Sequence, residues 1–298
     1  MRKSLVSFLG ETFSDRYARG TLYHYTSAQT FPVFFNDKAD LYCTYYASLN
    51  DDLEIAEGWK VAIQYLENVF DLKPNKKNLL LKEYHQTLHD EISTPWIMSF
   101  SEEGDSLPQW VAYTDRSCGG YAIGFDKALL RYAIDDVAIK QRGLGESRTC
   151  SVYFAPCFYE PGDIRKILDF FFQEQHAELI KAFSCKTKPT RLDVIRVASK
   201  IFLVAGLIKH RSFRSEQEWR IIYSPCGHAY EECEFIAGKP RQKVNAFSQK
   251  KRLRDIISEV RISPHGDVRT LAVNAAIMRK KFRLNFEIIN SDSPFNGK

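Results

Sequence analysis

The 298-residue sequence lacks the signatures of several large enzyme classes. It has no G-x-G-x-x-G opening a helix, no P-loop, no HExxH, no G-x-S-x-G and no kinase signature. No apolar run approaches the ~20 residues that cross a bilayer. The apolar stretch within residues 1–10 is too short and broken for a signal peptide. We therefore expect a cytoplasmic protein with no membrane partner.

Cysteine spacings typical of structural zinc sites or disulfide frameworks are also missing. There are seven cysteines, an odd number, and no CxxC pair. Cys226 and His228 form the only close Cys/His pairing, without partners at metal-ligand spacing. His85 and His89 are four residues apart, but no HExxH glutamate accompanies them. We expect reduced thiols and no bound metal.

Charge restricts the ligand only weakly. The chain has 42 basic and 37 acidic side chains, a net charge of +5, which suits an anionic ligand or nucleic acid without requiring either. Aromatic residues are plentiful, with 21 Phe and 15 Tyr. They favour strands and buried clusters, and they supply stacking surfaces for rings.

The spacing of apolar residues predicts an α+β fold in which strands flank a helical insertion. We find no internal repeat and no low-complexity linker, so we predict a single domain over residues 1–298, with the helical insertion at 162–209. The predicted strands are 21–26, 41–48, 96–103, 119–126, 150–154, 216–224, 259–264 and 285–290. The predicted helices are 52–70, 77–92, 107–115, 162–183, 190–209 and 267–281.

The first predicted strand, "LYHYTS", carries an unusual number of hydrogen-bonding groups. His24, Tyr25 and Thr26 are consecutive in it. One interpretation is the polar face of an ordinary strand with a structural histidine. The other is that these three side chains line a ligand pocket.

The segment "FRSEQEWRI" places two carboxylates close together. If it is a strand throughout, Glu216, Glu218 and Arg220 share one face, and Trp219 points into the core on the other. The side chains could form a salt-bridge ladder. Alternatively, a carboxylate here stabilises positive charge or takes a proton in a reaction.

Two further segments add candidate residues. Ser99 and Ser101 share one face of the predicted strand "WIMSFS". Trp110 and Tyr113 lie three apart in a predicted helix and share a face. They suit either core packing or stacking on a nicotinamide or adenine ring.

A histidine on an early strand, Ser-x-Ser on a middle strand and Glu-x-Glu on a later strand resemble the ADP-ribosyltransferase superfamily. The resemblance implies split antiparallel β-sheets with a cleft that binds NAD. His24 would then hold a ribose or phosphate, and Ser99-Phe100-Ser101 would support the nicotinamide side, with Phe100 where the family has Thr. The catalytic candidates on this basis are Glu218 and Glu216. The candidates for NAD binding are His24, Tyr25, Thr26, Ser99, Ser101, Trp110, Tyr113 and Arg220.

A second resemblance covers most of the chain. The segments "LYHYTS", "SLNDDLE", "SFSEEGDSLPQWVAYTDRSCGGYAIGFD", "FRSEQEWRIIY", "VRISPHG" and "SDSPF" follow the order of a bacterial domain-of-unknown-function family, number 2971. Asp52 stands where that family usually has Pro, which affects the turn before a helix. The family brings no settled activity.

These features lead to two functional hypotheses. The first is an NAD-consuming ADP-ribosyltransferase, with NAD as substrate and a protein or nucleic acid as acceptor, acting as a toxin or an anti-phage effector. The second is a non-catalytic sensor that uses the same cleft for a nucleotide-like ligand or a protein partner. A nuclease is a weaker third hypothesis, because a compact Asp/Glu/Lys metal motif is missing.

Overall fold

The structure is a computed structural model that describes residues 5–17, 19–35, 41–49, 53–87, 95–142, 151–186, 188–224, 233–244 and 255–294. Within these ranges the chain is a mixed α+β protein, as predicted from the sequence. No helix in them is both long and apolar enough to span a membrane. The same ranges hold no group of three His, Cys, Asp or Glu side chains arranged to bind a metal ion.

The strands of the described chain form one open sheet. They are β1 Thr21–Ser27, β2 Leu41–Tyr45, β3 Trp96–Ser101, β4 Gly120–Asp126, β5 Ser151–Pro156, β6 Glu218–Ser224, β7 Glu234–Ile236, β8 Lys239–Val244, β9 Ile257–Ile262 and β10 Glu287–Asn290. The helices are α1 Leu5–Thr12, α2 Ser14–Tyr17, α3 Leu53–Phe70, α4 Pro74–Thr87, α5 Leu107–Tyr113, α6 Lys127–Arg142, α7 Pro161–Asp169, α8 Ala177–Cys185, α9 Arg191–Ala205 and α10 Val268–Lys281.

Most predicted elements are confirmed with shifted ends. The helix predicted at 52–70 is α3, and the residue that the sequence suggests as its N-cap, Asp51, lies outside the described residues. The helix predicted from residue 77 is α4 and begins three residues earlier at Pro74, whose missing N–H costs nothing in the first turn. The helix predicted at 162–183 is divided, because a π-helical segment, Phe170–Gln175, separates α7 from α8.

The sheet is nearly split at one point. The strand order runs β10-β9-β4-β1-β3-β2-β8-β7, and β6 pairs with β3 and carries β5. Strand β3 meets β1 through the single pair Tyr23 and Ser101 at one end, and it meets β2 through Thr44–Ile97 and Tyr45–Trp96 at the other. β1 and β2 therefore diverge from the same edge of β3. The described strands form one mixed sheet, with β9 and β10 parallel, and not the two separate antiparallel sheets that the resemblance implied.

The two faces of the central strands pack into different cores. Ile97 on β3 and Ile222 on β6 belong to a core shared with the helices α3, α4 and α7–α9. On the opposite face, Phe100 and Trp219 belong to a second core that includes α10 residues. Trp219 is fully buried, so its predicted position in the core is confirmed. The side chains of Glu218 and Arg220 therefore lie on the face that carries Ile222.

The helical block predicted at 162–209 corresponds to α7, α8 and α9. Its buried side chains, among them Ile167, Phe183 and Phe202, pack in the same apolar core as those of α3 and α4. The single-domain organisation and the status of this block as an insertion stay predictions from the sequence.

Candidate functional site

A cleft of about 440 Å³ opens where β1 and β2 part from the edge of β3. Strand β1 contributes His24, Tyr25 and Thr26 to its lining. The other sequence-predicted residues that line it are Ser99, Tyr113, Glu216, Glu218 and Arg220. The structure thus brings together eight candidate residues from four separate segments of the chain.

His24 fills the gap that the diverging strands leave. Its Nδ1 lies 2.8 Å from the backbone oxygen of Ser99, in the stretch of β3 that β1 does not pair. A carbonyl oxygen only accepts hydrogen bonds, so Nδ1 carries the proton. Burial lowers the pKa of His24 to about 4, and the charge of Arg241 acts in the same direction. At neutral pH the ring is therefore uncharged, and its Nε2 is a hydrogen-bond acceptor.

Glu218 is the centre of a buried ion-pair cluster. Its Oε1 accepts from Arg220 Nε at 2.7 Å, and its Oε2 accepts from Arg220 Nη2 at 3.0 Å and from Lys209 Nζ at 2.8 Å. Burial alone would raise the pKa of this carboxyl, but the charges of Arg220 and Lys209 outweigh it and hold the pKa at about 2. Glu218 is only 3% exposed, so it is a fixed anion at the bottom of the cleft.

Glu216 does not share a strand face with Glu218, and that prediction was wrong. Residues 211–216 form a 3-10 turn, and Gln217 then adopts a left-handed conformation with φ of 43°. Strand β6 begins only at Glu218. The Glu216 carboxylate nevertheless reaches the Lys209 Nζ, so both carboxylates meet at one ammonium group.

Two candidate residues lie behind the lining of the cleft. Ser101 is buried, and its Oγ donates to the backbone oxygen of Glu216 at 2.7 Å, which holds the turn that carries this carboxylate. Trp110 is fully buried, and its Nε1 donates to Asp105 Oδ1 at 2.7 Å. The Trp110 ring meets Tyr25 edge-on with centroids 4.7 Å apart, so it supports the wall and is not available to stack on a ligand.

The aromatic residues that line the cleft, Tyr25, Tyr113 and Phe213, offer apolar surface and not acid–base chemistry. The Tyr25 hydroxyl donates to the Glu103 backbone oxygen at 2.7 Å and accepts from the Ser106 N–H at 3.0 Å. Burial raises the pKa of Tyr25 well above its usual range. Tyr113 and Phe213 also line the cleft, and their rings are candidate stacking surfaces for a planar ligand.

Four lining or supporting residues were not found from the sequence. Lys209 lies in a connection between helix and strand, and Phe213 lies in the 3-10 turn. Lys239 and Arg241 are on β8, a strand that the sequence did not predict. Nothing local in the sequence distinguishes these residues, because the sheet topology alone places them at the cleft.

The described lining of the cleft and its supporting Lys209 together carry a net positive charge. Glu216 and Glu218 are balanced by Lys209 and Arg220 in the buried cluster. Lys239 and Arg241 add two cations to the lining. An anionic ligand therefore fits this site better than a cationic one.

Comparison with known protein families finds a match over part of the chain. A family model described as "protein of unknown function (DUF2971)" matches residues 109–221, from within α5 into β6. The match includes Glu216, Glu218, Arg220 and Lys209, and it excludes His24 and β8. It supports the resemblance to that family seen in the sequence. No curated protein and no solved structure matches the chain.

Proposed function

We propose that the protein is an NAD-consuming enzyme of the ADP-ribosyltransferase type, which transfers ADP-ribose to a protein or nucleic-acid acceptor. The observation that carries this proposal is the convergence of His24, Ser99 and Glu218 on one cleft. These residues come from three strands, and they follow the chain order that marks the superfamily. The nearly split sheet, with its cleft at the division, supports the same proposal.

In the proposed reaction, the bond between ribose C1′ and the nicotinamide nitrogen breaks. Nicotinamide leaves as a neutral molecule with the bonding electron pair, and positive charge develops on the ribose. Glu218 is ionised at neutral pH and would stabilise that charge. The acceptor then forms the new bond to C1′ and loses its proton to solvent. Glu216, which is less buried than Glu218, would position the acceptor.

The other lining residues fit the binding of NAD. The unprotonated Nε2 of His24 would accept a hydrogen bond from a ribose hydroxyl, whereas it could not hold a phosphate, which offers no proton at neutral pH. Tyr113 and Phe213 would pack against planar rings. Of the two roles expected for His24, holding a ribose or holding a phosphate, we therefore propose the ribose.

A binding module without catalysis is the second candidate function. Both carboxylate oxygens of Glu218 already accept hydrogen bonds from Arg220 or Lys209. Two adjacent cations weaken the attraction between this carboxylate and a positively charged transition state. The same cluster would serve well as a rigid floor for a ligand that is held and not cleaved.

Labelled NAD separates the two candidates. The wild type is incubated with NAD labelled in the adenylate part, and nicotinamide release and label transfer are measured. Glu218→Gln keeps the size and loses the charge, and we expect at least a ~100-fold fall in nicotinamide release. Glu287→Gln is the matched control, because Glu287 is exposed on β10 outside the cleft, and it should react like the wild type.

The outcomes differ clearly. A folded Glu218→Gln variant with undiminished NAD turnover would refute the catalytic assignment. A wild type that binds NAD in calorimetry but releases no nicotinamide would establish the binding module instead. A wild type that neither binds nor cleaves NAD would remove NAD from both proposals.

A further inference from the structure

Arg241 is a cation in the cleft wall to which no carboxylate of the described residues is paired. Its side chain is partly buried, and its Nε is buried without a hydrogen-bond partner among the described residues. Burial lowers its pKa, which the thiol of Cys43 on the neighbouring strand partly offsets and no carboxylate of the described residues does. A guanidinium N–H that is shielded from water without a hydrogen-bond partner is costly to keep in a folded protein.

A second cation on the same strand increases this cost. Lys239 lies two residues before Arg241 on β8, so the two side chains leave the same face. Burial and the charge of Arg241 both lower the pKa of Lys239. An anion bound between these two like charges would relieve their repulsion.

The neighbouring strand adds a hydroxyl group. Thr44 on β2 lies directly opposite Arg241 in the antiparallel pair, and cross-strand partners share a face. Thr44 is buried and lines the cleft with Arg241 and Lys239. A guanidinium, an ammonium and a hydroxyl are the groups that proteins use to bind phosphate oxygens.

We infer that Arg241, Lys239 and Thr44 form a phosphate subsite at the β8 wall of the cleft, which takes the diphosphate of a nucleotide-type ligand. Arg241 binds two phosphate oxygens through its planar fork, and Lys239 neutralises the remaining charge. His24, also near Arg241, then contacts the sugar beside the diphosphate. The inference deepens the proposed function by naming the part of the ligand that this wall holds, but it requires binding alone and no cleavage.

Calorimetric titration with inorganic pyrophosphate and with ADP-ribose tests the subsite in a buffer free of phosphate and sulfate. The wild type should bind both compounds, and Arg241→Gln should weaken each by at least ~10-fold, the usual size of a charged hydrogen-bonded contact. Lys239→Gln should weaken binding by a smaller factor than Arg241→Gln does, because it removes one point charge and leaves the bidentate guanidinium of Arg241 in place. Arg269→Gln is the matched control, since Arg269 is exposed on α10 and does not line the cleft.

A second variant covers the case in which Arg241→Gln does not fold. Arg241→Lys keeps the charge but loses the bidentate fork, and it should bind pyrophosphate with an intermediate affinity. Tighter binding of ADP-ribose than of pyrophosphate, with both dependent on Arg241, supports a nucleotide diphosphate. Equal binding of the two, or binding of pyrophosphate alone, would overturn the nucleotide part of the inference.

The remaining results are also decisive. A wild type that binds neither compound, or a folded Arg241→Gln variant that binds as the wild type does, overturns the subsite. The proposed function fails by a different result, the absence of nicotinamide release. Glu218→Gln should retain Arg241-dependent pyrophosphate binding, so the two failures are distinguishable.

Discussion

The two walls of the cleft, formed by β6 and by β8, each carry an arginine, and the two arginines differ in how the protein neutralises their charge. On the β6 wall, Arg220 is 2% exposed, yet it donates two hydrogen bonds to Glu218 and one to the backbone oxygen of Gly206. On the β8 wall, no carboxylate of the described residues raises the pKa of Arg241. The fully buried guanidinium of Arg220 is thus satisfied within the protein, whereas the partly buried one of Arg241 has an Nε without a partner among the described residues.

The difference shows what each wall can contribute to function. The β6 cluster is complete without a ligand, so it fixes the shape and charge of the cleft floor. On the β8 wall, the Nε of Arg241 has no hydrogen-bond partner among the described residues, so this guanidinium gains most when an anion arrives. Affinity should therefore come mainly from β8, and any chemistry should come from the carboxylates near β6.

The largest expected effect is a contrast between two arginine substitutions. Arg220→Met leaves the buried Glu218 with Lys209 alone and should lower the free energy of unfolding by ~3–5 kcal/mol. Arg241→Met removes a cation without a carboxylate partner, so the ligand-free protein should lose less than ~1 kcal/mol or gain stability. Urea unfolding of both variants measures the contrast.

Equal losses in the two variants would contradict the comparison between the walls. A control is the double variant Arg220→Met with Glu218→Gln, in which no charge of the broken pair remains buried. It should recover part of the stability that the single Arg220→Met variant loses.

The next largest effect concerns pH. His24 has a pKa of about 4 in the folded protein against an ordinary 6.5, so the unfolded chain binds its proton more readily. Its contribution is present above pH 6.5 and is lost as the pH falls towards 4, by up to ~3 kcal/mol. Glu218 acts in a lower window, because its pKa of about 2 against 4.5 makes stability fall only below about pH 4.5.

Urea unfolding of the wild type and of His24→Asn, repeated from pH 7 to pH 4, checks this prediction. Asparagine keeps a donor for the Ser99 backbone oxygen but does not titrate. The variant should therefore lose less stability than the wild type over this range. Parallel pH curves for the two proteins would show that His24 does not titrate from a buried neutral state.

The smallest expected effect separates the two carboxylates. Glu216 and Glu218 share Lys209, but Glu216 is the more exposed and lies on the turn, nearer to an incoming acceptor. We expect Glu216→Gln to reduce label transfer ~5-fold, about 1 kcal/mol, while nicotinamide release changes less. The ratio of transferred label to released nicotinamide is the measurement. An unchanged ratio would contradict a role for Glu216 in positioning the acceptor.

Sequence periodicity was sufficient to predict the helices and strands in which one face is buried along the whole element. The helix α3 and the strand β6 around Trp219 were predicted because apolar residues recur at the period of the structure. Glu216 was misplaced because the left-handed Gln217 interrupts that period, and glutamine gives no signal for such a conformation. One residue in an unusual conformation therefore changed the local geometry of the candidate site.

The cleft itself depends on contacts between distant segments. In the sequence, nothing distinguishes Lys209 and Arg241 from the chain's other basic residues, and there are 42 in all. The topology decides their partners, because it brings Glu218 to Lys209 but no described carboxylate to Arg241. The neutral state of His24 likewise follows from its burial and from the Ser99 carbonyl, 75 residues away along the chain. The sequence indicated the residue types of the site but not its charge balance.

The narrow joint between β1 and β3 also has a mechanical meaning. Among the described strands, β1 and β3 share one residue pair and the hydrogen bond of His24, whereas the pairs β1–β4 and β3–β6 are joined along their length. Stiffness in a sheet comes from consecutive backbone hydrogen bonds, so bending strain concentrates where the ladder is shortest. A ligand that contacted both His24 on β1 and Arg241 on β8 would connect the two parts of the sheet and resist bending between β1 and β3.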